Sequence, residues 1–112
     1  MSQEANGKTT VEVLTGMLEL FGPNGEHWCK HALENSGSYC LLGAAGKAAC
    51  GNPMGTSEVC ERATRSIREC VGTEYPGFLA PFNNAPETTF KEIKEVMCKA
   101  IKAELGKAEG MS

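Results

Sequence analysis

The chain lacks a long hydrophobic run and lacks an apolar segment near its first residue. A helix that crosses a bilayer needs roughly 20 consecutive apolar residues, and no stretch of this sequence approaches that length. Residues 1–8 are polar and have no apolar centre of the kind found in a secretory signal. The sequence therefore predicts a soluble, unexported protein of the cytoplasm, without a membrane partner.

The chain also lacks an excess of basic residues. Eleven Lys and Arg stand against 14 Asp and Glu, which gives a net charge of -3, whereas a phosphate-binding surface is usually basic. The one concentrated basic stripe is predicted to be a solvated helix face, balanced by glutamates of the same helix; it consists of Arg62, Arg65 and Arg68. Residues 43–47 fall short of a phosphate-binding loop. Nucleic acid is not a favoured partner.

The composition is otherwise ordinary for a globular protein, with 41% hydrophobic and 22% charged residues in a chain of 112. This length suits one hydrophobic core. We predict a single domain over residues 9–106, with flexible tails at 1–8 and 107–112. The fold class is mainly α, with four or five helices and a short β-hairpin near residues 28–42.

The last helix has the clearest sequence signals. Thr89 is followed three residues later by Glu92, which is the pattern of a capping box, and Pro86 prevents an earlier start. Apolar residues then recur at helical spacing, and Gly106 is a typical stop. The predicted helix runs from residue 90 to about 105, and its apolar side comprises Phe90, Ile93, Met97, Ala100, Ile101 and Leu105.

Three more helices follow from similar signals. Thr9 and Glu12 form a second capping box, and Gly22-Pro23 ends that helix near Phe21. Residues 41–50 are rich in Ala and Gly, which predicts a short buried helix that packs closely. Thr56 or Ser57 caps a further helix that ends at Gly72. Residues 73–85 are predicted to be a packed loop of about thirteen residues, a length that is often functional.

Six cysteines are the compositional oddity of the chain. Without an export signal the thiols are expected to stay reduced, and free cysteine behaves as a small buried hydrophobe. Cys60, Cys70 and Cys98 fall within amphipathic helical patterns. We therefore predict mostly core thiols and no cofactor.

A zinc site is one alternative for the segment around Trp28. His27, Cys29 and His31 alternate, so an extended backbone would place them on one face, with Cys40 joining them across a hairpin. The segment lacks the paired Cys-x-x-Cys knuckles that make zinc motifs specific. A structural zinc module is therefore a minor hypothesis.

A cysteine-dependent hydrolase or transferase is the second alternative. Such an enzyme needs a thiolate, a nearby His base and an orienting amide or carboxylate. Cys40 and Asn84 supply the first and the last of these groups, and His31 or His27 supplies the base. No nucleophile elbow or protease signature surrounds Cys40, so a buried inert thiol is the simpler interpretation. Binding is preferred over catalysis.

A ligand site is also suggested by Asn83 and Asn84, whose amides could bind a small polar ligand beneath aromatic side chains. Side-chain turns that set the start of the last helix are the preferred interpretation of the same two residues. Trp28 is expected to be a core anchor. The candidate binding residues are Trp28, Tyr75, Phe78, Phe82, Asn83 and Asn84.

Three motifs carry a resemblance to a known family: Trp28, Cys40-Leu41-Leu42-Gly43-Ala44, and Phe82-Asn83-Asn84-Ala85-Pro86 before a helix that ends in Ala100-Ile101. With them the chain resembles a family of small bacterial and phage proteins of unknown function. Asn84 stands where that family commonly has Asp. The resemblance implies the fold and a bacterial or phage origin, and it brings no established activity.

The leading hypothesis is a small non-enzymatic interaction or ligand-binding protein. From the resemblance we expect it to be phage-encoded and to act on a host component such as a defence system. Its partner would be a host or phage protein or a small polar ligand.

Overall fold

The computed structural model describes residues 9–71 and 79–110. Within these ranges the chain forms five helices and one two-stranded antiparallel hairpin, which confirms the predicted mainly α fold of a small single domain. In chain order the elements are α1 (Thr10–Phe21), β1 (Glu34–Asn35), β2 (Ser38–Tyr39), α2 (Leu41–Cys50), α3 (Glu58–Cys70), α4 (Leu79–Asn84) and α5 (Phe90–Gly110).

Helix α1 is the central element of the core and contacts α2, α3 and α5. Its predicted capping box is present, because Thr9 Oγ1 accepts from the Glu12 N–H at 3.1 Å and the Glu12 carboxylate accepts from the Thr9 N–H at 2.8 Å. The residues of its inner face are fully buried, and they are Val13, Leu14, Met17 and Phe21.

Helix α2 has the bounds that its small residues predicted and packs closely, as expected. A Cβ on Gly43 would overlap the carbonyl group of Leu33, and a Cβ on Gly46 would lie 2.7 Å from the carbonyl oxygen of Asn52. Glycine is therefore required at both positions because neighbouring backbone lies against the helix.

The predicted hairpin is present, with Glu34 opposite Tyr39 and Asn35 opposite Ser38. Its two-residue turn has positive φ at both positions, 53° at Ser36 and 88° at Gly37, as a type I′ turn requires. Trp28 lies beside Tyr39 in a parallel bridge. The backbone around Trp28 is thereby attached to the hairpin.

Helix α3 begins after Ser57, whose hydroxyl accepts from the Cys60 N–H at 3.1 Å. Its buried face includes Val59, Ala63 and Ile67. The arginine stripe lies largely on the outer face, as predicted, and Arg62 pairs with Glu58 at 3.2 Å. The helix ends at Cys70, with the extended Val71 as its C-cap, while Gly72, the predicted end, lies outside the described residues.

The prediction of a loop over residues 73–85 was wrong for its second half, where residues 79–84 form α4. Leu79, Phe82 and Asn83 are buried on one side of this helix, which is the spacing of a helix face. Pro81 is compatible with it because proline is tolerated in a first turn.

Helix α5 starts with the predicted capping box between Thr89 and Glu92. Ile93, Met97 and Ala100 are fully buried, whereas Leu105 is 48% exposed and does not belong to the apolar side. The helix also continues past Gly106 to Gly110. A glycine inside a helix costs only about 1 kcal/mol against alanine, which does not by itself end a helix.

The thiols are divided between core and surface. Cys40 and Cys60 are buried, Cys29 and Cys70 are partly buried, and Cys50 and Cys98 are exposed. The placement of Cys98 in the core was therefore wrong, because it lies on the outer face of α5. Within the described ranges no helix combines the length and the apolar character needed to cross a membrane.

Candidate functional site

The predicted binding residue Asn83 is the centre of a buried hydrogen-bond network, which we call the amide hub. Asn83 Oδ1 accepts from the indole N–H of Trp28 at 2.7 Å and from the backbone N–H of Leu41 at 3.1 Å. Asn83 Nδ2 donates to the Cys29 carbonyl at 3.1 Å and to Asn84 Oδ1 at 2.9 Å. An asparagine amide has two donors and an acceptor oxygen with two lone pairs, so Asn83 has no capacity left for a ligand.

Asn84 continues the hub toward the surface. Its Oδ1 also accepts from the backbone N–H of His31 at 2.8 Å. Lys30 Nζ donates to the Ala85 carbonyl and lies 5.5 Å from the centre of the Trp28 ring. These contacts fix residues 28–31 to α4 and to the residue that follows it.

Trp28 and Phe82 are packing residues, as Trp28 was expected to be. The Trp28 ring is tilted against Phe90 with centroids 6.0 Å apart, and Phe90 meets Phe21 edge to face at 5.8 Å. Phe82 is only 7% exposed. Tyr75 and Phe78, the other two aromatic candidates, lie outside the described residues.

A cleft of about 220 Å³ opens beside the hub, between residues 31–33, which precede the hairpin, and helix α4. We call it the α4 cleft. Most of its wall is apolar. It is lined by His31, Ala32, Leu33, Cys40, Leu42, Leu79, Ala80, Asn83 and Asn84.

The α4 cleft depends on close backbone packing. Because Gly43 has no side chain, the Leu33 carbonyl can lie directly against the first turn of α2. Leu33 and Leu42 both line the cleft, and 37% and 38% of their surfaces are exposed. They are two of the few large hydrophobic side chains that the described part of the chain leaves exposed.

The three catalytic candidates Cys40, His31 and Asn84 all line this cleft. Cys40 is the N-cap of α2, and its Sγ accepts from the Gly43 N–H at 3.4 Å. In the described part of the chain the imidazole of His31 makes no hydrogen bond to either of the other two, and His31 contacts Asn84 through its backbone. The structure thus places the three residues around one space without the linkage of a working triad.

The four zinc candidates do not come together. Among residues 9–71 and 79–110, no group of three or more His, Cys, Asp or Glu side chains could hold a metal ion. The expected alternation from His27 to His31 fails because His31 has φ 69°, which breaks an extended backbone. His27 and His31 are exposed, whereas Cys29 is partly buried and donates to the Ala32 carbonyl at 3.5 Å.

Sequence reasoning missed the apolar lining of the cleft, in particular Leu33, Leu42, Leu79 and Ala80. Two signals could have found it. Leu79, Phe82 and Asn83 have the spacing of a helix face, and Leu42 directly follows Leu41 at a helix start, so the two side chains leave the helix about 100° apart.

Comparison with known proteins gives a family. A family of unknown function, DUF6197, matches residues 5–103, and the chain belongs to that family. No curated protein and no solved structure matches the chain.

Proposed function

We propose that this member of DUF6197 is a non-enzymatic binding protein, and that the α4 cleft accepts an aliphatic side chain from a protein partner. The observation that carries the proposal is the apolar cleft of about 220 Å³ with two exposed leucines, Leu33 and Leu42, at its rim. Sites for small organic ligands are usually larger, about 300 to 1,000 Å³. This volume suits one side chain.

The arrangement of polar groups favours a protein partner over a small polar ligand. Asn83 has its four hydrogen-bonding positions occupied, and Asn84 Oδ1 already accepts two hydrogen bonds. A polar ligand would find few free groups to bind, whereas an aliphatic side chain would cover Leu33 and Leu42. That the chain is phage-encoded and that its partner is a host component, such as part of a defence system, rests on the family resemblance alone.

The test is photo-crosslinking in the cells that express the protein. A benzophenone amino acid at position 33 or 42 should join the chain to one partner, and Leu42→Asp introduced with the crosslinker at position 33 should abolish the product. Leu105, 48% exposed on α5, provides the matched control: Leu105→Asp should leave the product unchanged. A product that survives Leu42→Asp would exclude the cleft as the binding site.

Cysteine catalysis is the second candidate, because Cys40, His31 and Asn84 line one cleft and a backbone N–H points at the Cys40 sulfur. Serine would keep the helix cap, since serine is a preferred N-cap residue, but it would remove the thiol. A Cys40→Ser variant with full biological activity would rule this candidate out, while a variant that folds and is inactive would support it.

A further inference from the structure

Backbone register brings two cysteines next to each other at the back of the α4 cleft. The Tyr39 N–H donates to the His27 carbonyl at 2.7 Å, and the Cys29 N–H donates to the Tyr39 carbonyl at 3.0 Å, which defines the parallel bridge between Trp28 and Tyr39. Cys40 remains extended, with φ -85° and ψ 179°. The bridge is isolated, because the Asn83 amide takes up the Cys29 carbonyl and the Leu41 N–H that would form the next bond of a parallel ladder. The residues that follow the bridged pair nevertheless stay near each other, since the Cys29 N–H bonds to the carbonyl directly before residue 40. Cys29 and Cys40 are these residues.

The surroundings of the two sulfurs agree with this placement. Cys29 Sγ donates to the carbonyl of Ala32 at 3.5 Å, and Ala32 lines the α4 cleft together with Cys40. Burial, followed by the electrostatic effect of Cys40, raises the pKa of the Cys29 thiol. Cys40 therefore borders the cleft, and Cys29 lies beside it.

We propose that Cys29 and Cys40 form a redox-active dithiol that a peroxide converts to an intramolecular disulfide. A disulfide needs Cα atoms about 4.4 to 6.8 Å apart, and the 3.0 Å hydrogen bond from the Cys29 N–H to the Tyr39 carbonyl holds the backbones of residues 29 and 40 close enough for such a bridge. The inference is independent of the proposed binding function, because it concerns the two thiols whether or not a partner occupies the cleft.

The reaction has two steps. The thiolate of Cys40, reached through the cleft, attacks one oxygen of hydrogen peroxide; the O–O bond breaks, hydroxide leaves, and Cys40 becomes a sulfenic acid. The thiol of Cys29 then attacks the sulfenic sulfur, and the sulfenic oxygen leaves as water with the thiol proton. Overall the two thiols lose two electrons to the peroxide. A small dithiol reductant reverses the change by thiol–disulfide exchange.

The sequence makes the product easy to identify. Trypsin cleaves after Lys8, Lys30 and Lys47, so Cys29 and Cys40 fall on separate peptides, 9–30 and 31–47. The reduced Cys50→Ser/Cys98→Ser variant, which lacks the exposed thiols, is treated with hydrogen peroxide and digested without reductant. We expect the two peptides to be joined, with the loss of two hydrogen atoms, and to separate after treatment with dithiothreitol.

Single variants test the order of the steps. Cys40→Ser should abolish the joined peptide, and Cys29→Ser should leave a Cys40 sulfenic acid that dimedone traps. Cys70→Ser, which removes another partly buried thiol, should leave the yield unchanged. Absence of the joined peptide at a peroxide concentration that oxidises Cys98 of the unaltered chain would overturn the proposal, as would dimedone labelling of Cys29 in place of Cys40.

Discussion

Asn83 borders two neighbouring regions of the molecule, the amide hub and the α4 cleft, and the two are built from opposite kinds of side chain. In the hub, the polar atoms of Asn83 are all hydrogen-bonded, and Asn83 itself is 1% exposed. In the cleft, apolar side chains remain partly exposed beside an open volume. The amides that the sequence offers as ligand-binding candidates form hydrogen bonds within the fold, whereas Leu33 and Leu42 remain partly exposed.

Among the substitutions that test this contrast between hub and cleft, Asn83→Ala should have the largest effect on the free energy of unfolding. It leaves the Trp28 indole N–H, the Leu41 N–H and the Cys29 carbonyl without their partner, and each buried unsatisfied group costs about 1 to 3 kcal/mol. We expect the free energy of unfolding to fall by roughly 3 kcal/mol or more in urea titrations. Asn35→Ala, on exposed β1, is the control and should change it by less than about 0.5 kcal/mol. Similar values for the two variants would contradict the structural role of Asn83.

Gly43→Ala tests the wall of the cleft. The added methyl group would collide with the Leu33 carbonyl, so residues 31–33 must move away from α2, at a cost of about 1 to 3 kcal/mol. The matched control is Gly106→Ala in α5, where the new Cβ meets nothing within 4 Å. That change should stabilise the protein by up to about 1 kcal/mol. Thermal unfolding of both variants should show shifts of opposite sign; a shift of the same sign would argue against close packing at Gly43.

Trp28→Phe removes one polar contact of the hub and keeps an aromatic ring. Asn83 Oδ1 retains its hydrogen bond from the Leu41 N–H, so the expected loss is about 1 kcal/mol, smaller than for Asn83→Ala. Urea unfolding monitored by circular dichroism measures this loss of stability, because the variant has no tryptophan whose fluorescence could report it. The same loss in the Trp28→Phe/Asn83→Ala double variant as in Asn83→Ala alone would show that the two residues act through one interaction.

Leu42→Asp should have the smallest effect on stability. Leu42 is 38% exposed at the rim of the cleft, while its neighbour Leu41 is 1% exposed in the core. We expect Leu42→Asp to change the free energy of unfolding by about 0.5 kcal/mol or less, and Leu41→Asp to prevent stable folding because it buries an unpaired charge. A large decrease in the free energy of unfolding of Leu42→Asp would mean that the leucines at the rim of the cleft support the fold and are not free for a partner.

The features that could be predicted from the sequence depend on residues close together in the chain. The capping boxes of Thr9 and Thr89 each join residues three positions apart, and the turn at Ser36-Gly37 joins adjacent strands. The small residues of α2 indicated close packing without identifying the neighbour. Because these signals are local, the helices that begin at residues 10, 41, 58 and 90 were predicted with nearly correct starts.

The hub and the cleft depend on contacts that no local pattern encodes. Asn83 bonds to Trp28, 55 residues away, and to Leu41, 42 residues away. Helix α4 has only six residues and contains a proline, so its composition resembles that of a loop. Because α4 was not predicted, the proximity of Cys40, His31 and Asn84 was only a hypothesis. The sequence also could not show that Leu33, Leu42 and Leu79 surround them.

The hydrogen bond from the indole of Trp28 to Asn83 gives the molecule its own optical reporter. Trp28 is the single tryptophan of the chain, it is partly buried, and a lysine ammonium group lies 5.5 Å from the centre of its ring. Its ultraviolet emission therefore arises from one position, at the junction of residues 28–31 with α4. Any event that loosens this junction, whether a bound partner, a disulfide at Cys29 or the first stage of unfolding, will change the colour and intensity of that emission without a label.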